Sequence, residues 1–139
     1  MSNEISEDRI KRLGLAALAA GYTFSIRPNE HGIRVPCIVD SYAGWVQWSP
    51  EHDSGDAFDL ASDANINIEH IGVTNEPPQA VGCWPSKYGN MTVSTHYNGD
   101  KRGAMRRSIF EAAVLLGQSI ANKPAPSSQG YNEGQALDI

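Results

Sequence analysis

The amino-acid sequence predicts one α+β or layered α/β domain, with about four strands covered by three helices. Three segments carry apolar residues at helical spacing, and several short segments alternate apolar and polar residues, as half-buried strands do. The 139 residues match the usual size of a single domain. Because amphipathic helices and strands must each bury an apolar face, we expect the helices to cover the sheet.

The first helix is predicted over residues 4–20, where Leu13 and Ala17 lie on one apolar face. Ser6 is a suitable N-cap, and Gly21 stands where a glycine commonly ends a helix. The sequence therefore predicts that the domain opens with an amphipathic helix.

Three short strands are expected next, at 22–27, 33–39 and 45–48, with a turn at 29–32. Pro36 lies within the second of them and lacks a backbone N–H, so it predicts that this strand is at a sheet edge or is broken.

A tight turn and a capped helix over residues 53–64 follow the third strand. Asp53 or Ser54 can cap this helix, Asp56 suits its positive dipole end, and Gly55 allows a close turn of the backbone. Trp48 is expected to pack against the helix. The structural motif predicted here consists of Trp48, Pro50, Asp53, Gly55 and Asp56.

The second half of the chain predicts a strand at 65–73, a loop at 75–90, a strand at 91–97 and a helix at 102–121. The loop prediction rests on three prolines and two glycines. The last helix has an unbroken apolar stripe. Residues 122–139 are rich in Pro, Ser and Gly, so we expect a flexible tail after a single domain of residues 1–121.

Composition limits the class of protein. The net charge of −5 argues against non-specific DNA binding through bulk positive charge. No apolar run is long enough for a membrane span, and the first residues do not resemble a secretory signal, so we expect a cytoplasmic protein without membrane association. Cys37 and Cys83 form no CxxC pattern and are expected to be buried thiols.

Two segments resemble the phage ABA sandwich domain family. The first joins Trp48-Ser49-Pro50 to Asp53-Ser54-Gly55-Asp56-Ala57 and Leu60-Ala61, and the second is Arg106-Arg107-Ser108-Ile109, similar to the start of the family's last helix. The resemblance covers roughly residues 22–120. It implies a phage or prophage origin and an α/β/α layered fold, in which this helix is the last. It implies no established activity.

A basic cluster at the start of the last helix is a candidate anion site. Lys101, Arg102, Arg106 and Arg107 lie where free backbone N–H groups and the helix dipole already favour phosphate. The alternative is a solvated polar face, because cations at this end oppose the dipole. Trp84 and Tyr88 are candidates for stacking a base or anchoring a protein.

The acidic residues of the second helix are a candidate partner surface. Asp56, Asp59 and Asp63 recur at helical spacing and predict a solvated ridge, with Asp59 and Asp63 available to a basic partner. Their spacing does not match a calcium loop, and we predict neither metal nor cofactor.

No catalytic constellation is evident in the sequence. The four histidines are scattered, and none accompanies a Ser or Cys in a strained elbow. The sequence therefore favours a non-catalytic binding module. Alternatives are a counter-defence protein that sequesters a nucleotide signal, an inhibitor of a host protein, and, ranked last, a hydrolase using Cys37 or His52.

Overall fold

The computed structural model describes residues 5–72, 75–88 and 91–122, which form three helices and two three-stranded antiparallel sheets. The elements in chain order are α1 (Glu7–Ala20), β1 (Phe24–Pro28), β2 (Arg34–Asp40), β3 (Gly44–Gln47), α2 (Ser54–Asp63), β4 (Ile66–Ile71), β5 (Ala80–Pro85), β6 (Val93–His96) and α3 (Lys101–Ala121). The predicted α+β class and its three helices are confirmed. The expected number of about four strands is wrong, since the described residues form six. The predicted tail lies outside the described residues after Asn122.

The helix boundaries follow the predicted caps. The Ser6 side chain accepts a hydrogen bond from the Arg9 N–H, and Gly21 ends α1 in the left-handed conformation at φ 78°. Asp53 caps α2 by accepting from the Asp56 N–H at 2.8 Å. Local sequence therefore determines where these two helices begin.

The first sheet has the order β1-β2-β3, so Pro36 lies in its central strand. The prediction of an edge or a break is wrong for a geometric reason. The Pro36 carbonyl accepts from the Trp48 N–H at 2.9 Å, so the missing N–H of Pro36 also faces the β3 side. β3 has already ended at Gln47. Pro36 therefore removes one bond at the end of that ladder and leaves its pairing with Ile26 of β1 intact.

The second sheet has the order β4-β5-β6, and its central strand lies in the segment predicted as a loop. That prediction is wrong because Pro77 and Pro78 precede β5 and Pro85 is its last residue, so no proline interrupts the strand. Val81 and Cys83 are fully buried towards the helices. Gly82 serves packing, since a Cβ there would be 2.9 Å from Cδ1 of Ile71.

α3 is the centre of the core. It contacts α1, α2 and all three strands of the second sheet, while the first sheet contacts α1. Small residues allow α1 and α3 to approach closely, and a Cβ at Gly117 would collide with the carbonyl oxygen of Leu15. Among the described residues, none of the helices is both long and apolar enough to span a bilayer.

Candidate functional site

The turn between β3 and α2 is a compact, hydrogen-bonded unit. Trp48 is buried, with its ring edge-on to Tyr22 at 5.7 Å and to Phe24 at 6.1 Å. The Asp56 carboxylate accepts from the Ser49 N–H at 2.9 Å. Burial raises the pKa of Asp56, and the charges of Asp53 and Asp59 act in the same direction, against the lowering effect of the Ser49 bond. These contacts attach the turn to the core.

The predicted acidic ridge is partly used inside the protein. The Tyr22 hydroxyl donates to the Asp63 carboxylate, and burial together with that bond raises the pKa of Tyr22 well above its ordinary value. Asp59 is exposed on the same helix. Its neighbour Phe58 is 66% exposed, which is unusual for a phenylalanine. Within the described ranges no group of acidic, histidine or cysteine side chains is arranged to hold a metal.

Four arginines converge on a cleft of about 470 Å³ between the N-terminal halves of α1 and α3, which we name the arginine cleft. Arg9 and Arg12 come from α1, and Arg106 and Arg107 come from α3. Four carboxylates line the same space, from Asp8, Glu51, Asp100 and Glu111, and His52 lies there too. With His52 neutral, the cleft carries no formal net charge.

Two of the four arginines are structural. Arg9 forms a two-pronged pair with Glu51, with Nε–Oε2 at 2.8 Å and Nη2–Oε1 at 3.2 Å. Arg106 donates to the Glu51 carbonyl at 3.3 Å and to Ser54 Oγ at 2.9 Å. Burial raises the pKa of the Glu51 carboxyl, whose side chain is 15% exposed, but the bond and charge of Arg9 outweigh burial and leave it lowered. These contacts attach the turn before α2 to α1 and α3.

The other two arginines are more available. Arg12 pairs with Glu111, and its guanidinium lies 5.4 Å from the centre of the Phe110 ring. Arg107 reaches Asp100 only at 3.9 Å, and both side chains are well exposed. The Arg107–Asp100 pair is exposed and the Arg12–Glu111 pair is partly exposed, so each contributes little stability and both guanidinium groups can exchange partners.

The N-terminus of α3 is already capped by an anion of the chain itself. Asp100 accepts from the Gly103 N–H at 2.9 Å, which occupies the position predicted for phosphate. Lys101 instead lies over the Tyr97 ring at 5.8 Å. Arg102 is exposed and does not line the arginine cleft.

The structure does not bring the two candidate aromatic residues to the arginines. Trp84 lies in β5, paired with Asn67, on the sheet face opposite to Val81 and Cys83. Tyr88 packs against the core and lines a separate cleft of about 420 Å³. That second cleft also includes Asp63, which the sequence had assigned to a different role.

Sequence reasoning missed Arg9, Arg12 and Glu51. Arg9 and Arg12 lie three positions apart on α1, which indicates a shared face, but nothing local connects them to Glu51 or to α3. The pairs Arg9–Glu51 and Arg12–Glu111 span 42 and 99 residues. Only the packing of α1 beside α3 creates the cleft.

The two thiols are free and buried, in different sheets. Burial raises the pKa of both Cys37 and Cys83, so little of the nucleophilic thiolate is present at neutral pH.

Comparisons of this chain with family models, with curated proteins and with solved structures gave no significant match. The resemblance to the phage ABA sandwich domain family therefore remains a prediction from the residues quoted above.

Proposed function

We propose that this chain is a small accessory protein of phage or prophage origin that acts as a non-catalytic binding module in the host cytoplasm. The resemblance of residues 48–61 and 106–109 supports that origin. Helices packed on the inner faces of the sheets are compatible with a layered sandwich, and the α/β/α order is part of the same proposal. The proposed binding site is the arginine cleft, and its ligand is an anion.

The convergence of Arg12 and Arg107 over one cleft is the observation that carries this proposal. A volume of about 470 Å³ suits a small molecule. Guanidinium groups bind phosphate and carboxylate in two-pronged geometry. Since the internal partners Glu111 and Asp100 are exposed, an incoming anion can replace them without burying an unpaired charge.

Within this proposal, a nucleotide signal is the favoured ligand, and its sequestration would be a counter-defence activity. The arginines would bind its phosphate groups. Trp84 and Tyr88 lie outside the cleft, so base stacking on them is not part of the proposal. His52 is the exposed ring at the cleft that could contact the rest of the ligand.

The test is a thermal-shift titration of the whole chain with inorganic phosphate and with mono-, di- and cyclic nucleotides. A site filled at about 100 times its dissociation constant stabilises the fold by roughly 2.7 kcal/mol. The double variant Arg12→Gln with Arg107→Gln should lose this shift. Arg102→Gln is the matched control, because it removes an exposed arginine of the same helix outside the cleft.

Absence of a shift with every probe, or an equal shift in the double variant, would remove the arginine cleft as a binding site. Arg106 is left unchanged in this test. Its bonds to Glu51 and Ser54 mean that its loss would disturb the fold as well as any ligand.

Inhibition of a host protein is a second candidate, favoured by the exposed Phe58 beside Asp59 on a helix without basic residues. An apolar side chain among carboxylates suits a basic partner with an apolar pocket. Asp59→Lys and Phe58→Ser should each weaken salt-sensitive capture of such a partner from host lysate. Asp63 is a poorer choice for reversal, since it accepts from Tyr22. Equal capture by both variants would dismiss this surface.

A further inference from the structure

β4 is an edge strand of the second sheet whose protection against pairing is limited to one carboxylate, that of Glu69. It has six residues, whereas the edge strands β3 and β6 have four and β1 contains Pro28. β4 contains no proline or lysine, and all its residues from 67 to 71 are exposed. Ile68 and Ile71 are 38% and 39% exposed. Proteins commonly shield such an edge with charge, proline or shortness, because its free backbone groups attract another strand.

The hydrogen-bond pattern identifies which backbone groups are free. The Ser86 N–H donates to the Asn65 carbonyl at 2.9 Å, in register with the β4–β5 ladder. Since inward and outward groups alternate along an antiparallel strand, Ile66, Ile68 and His70 direct their N–H and C=O groups away from β5. Across the described residues, no backbone bond to these groups is present.

We propose that a second copy of this chain pairs with β4, antiparallel and around a two-fold axis at Ile68. In this register Ile68 faces Ile68 of the partner subunit, and Ile66 faces the partner's His70. Each of the three outward-facing residues then donates its N–H to the partner and accepts with its C=O, which gives six backbone hydrogen bonds in total. The β4-β5-β6 sheets of the two subunits become one sheet of six strands.

The backbone pairing and the charge of Glu69 together favour this register. On the solvent face, Asn67 lies opposite the partner's Glu69, so neither carboxylate faces another carboxylate. The Asn67 amide itself donates to Ser86 Oγ of its own chain at 3.0 Å. A register centred on Glu69 instead would place two carboxylates opposite each other, which is unfavourable. The pairing is isologous and stops at two subunits, because the outer edge of β4 is paired in both subunits and cannot bind a third. Its residues lie outside the arginine cleft, so the proposal is independent of the proposed ligand.

Sedimentation equilibrium of the whole chain over a wide concentration range tests the pairing. The expected result is a reversible monomer–dimer equilibrium. Asn67→Glu places like charges opposite each other twice and should raise the dimer dissociation constant roughly tenfold. Combining it with Glu69→Lys restores opposite charges at both positions and should return the dissociation constant towards that of the unmodified chain.

Ile68→Pro provides a second variant, because its lost N–H faces outward and the β4–β5 ladder is retained. It should abolish the dimer while far-ultraviolet circular dichroism stays unchanged. A monomer at all concentrations would overturn the proposal, as would a dimer that is unaffected by both Asn67→Glu and Ile68→Pro. A dimer that Ile68→Pro abolishes but Asn67→Glu leaves unchanged would overturn the register.

Discussion

The two ends of the α1–α3 pair differ in how the same two helices meet. The helices run in the same direction, since Arg9 and Arg12 lie near Arg106 and Arg107, and Leu15 meets Gly117 further along. At the Leu15–Gly117 end, a glycine lets the two backbones touch. At the arginine end, charged side chains of both helices line a cleft of about 470 Å³.

Because of this difference, we expect one end of the helix pair to determine stability and the other to determine ligand binding. At the Leu15–Gly117 contact the two backbones leave no space for a ligand, and their close packing contributes to the core. The charged end is held by side-chain pairs that range from partly buried, at Arg9–Glu51, to exposed, at Arg107–Asp100. Changes at the Leu15–Gly117 contact should therefore affect the free energy of unfolding, and changes at the outer cleft should mainly affect binding.

The largest effect is expected for Gly117→Ala. The added Cβ would collide with the Leu15 carbonyl, so α1 and α3 must separate, and we expect a loss of about 3 kcal/mol in the free energy of unfolding. Gly14→Ala is the control, since its Cβ would meet the Phe24 ring at an ordinary 3.7 Å. That change should be neutral or stabilising by up to about 1 kcal/mol. Equal urea midpoints for both variants would contradict the close packing.

Glu51→Gln should have the next largest effect. It leaves Arg9 without its charged partner, and charged hydrogen bonds contribute about 1.5–3 kcal/mol, so we expect a loss of about 2 kcal/mol. The folded-state pKa of Glu51 lies below its ordinary value of 4.5. Its contribution is thus fully present above pH 4.5 and is lost as the pH falls through the folded-state pKa. Urea unfolding between pH 7 and pH 3 measures this loss, and the free energy of unfolding of Glu51→Gln should depend less on pH than that of the unmodified chain.

Tyr22→Phe should cost about 1 kcal/mol through the lost bond to Asp63, near the C-terminal end of α1. Because folding raises the pKa of Tyr22, the contribution of its neutral hydroxyl is fully present below the ordinary value of 10.0. It is lost as the pH rises through the folded-state pKa. Between pH 8 and pH 12, the melting temperature should fall more steeply with pH for the unmodified chain than for Tyr22→Phe. An equal dependence of the melting temperature on pH in both proteins would show that this hydrogen bond does not form.

The smallest effect on stability is expected for Glu111→Gln, within about 0.5 kcal/mol, since the Arg12 pair is partly exposed. The same change removes an internal competitor for Arg12, so phosphate or nucleotide affinity should rise several-fold. Isothermal titration beside a melting curve measures both quantities. Weaker binding by this variant would show that Glu111 supports the ligand rather than competing with it.

The limits of sequence-based prediction are clearest at Pro36 and at β5. The local signals are a proline within one segment and prolines around the other, and they predict an edge strand and a loop. Both segments, β2 and β5, are central strands. Whether a proline interrupts a sheet depends on which neighbour its missing N–H would face. That neighbour is determined by the order of the strands in the sheet, which cannot be inferred from the local sequence pattern.

The sequence by itself determined the α+β class, the three helices and the caps at Ser6 and Asp53, because these depend on residues within a few positions of each other. Tertiary structure decided the strand order, the separation of Trp84 and Tyr88 from the arginines, and the cleft itself. Arg12 and Glu111 are 99 residues apart, and Arg9 and Glu51 are 42 apart. Arg12 and Glu111 are brought together by the packing of α1 against α3, and Arg9 and Glu51 by the position of the turn before α2 beside α1, so neither pair is a property of one segment alone.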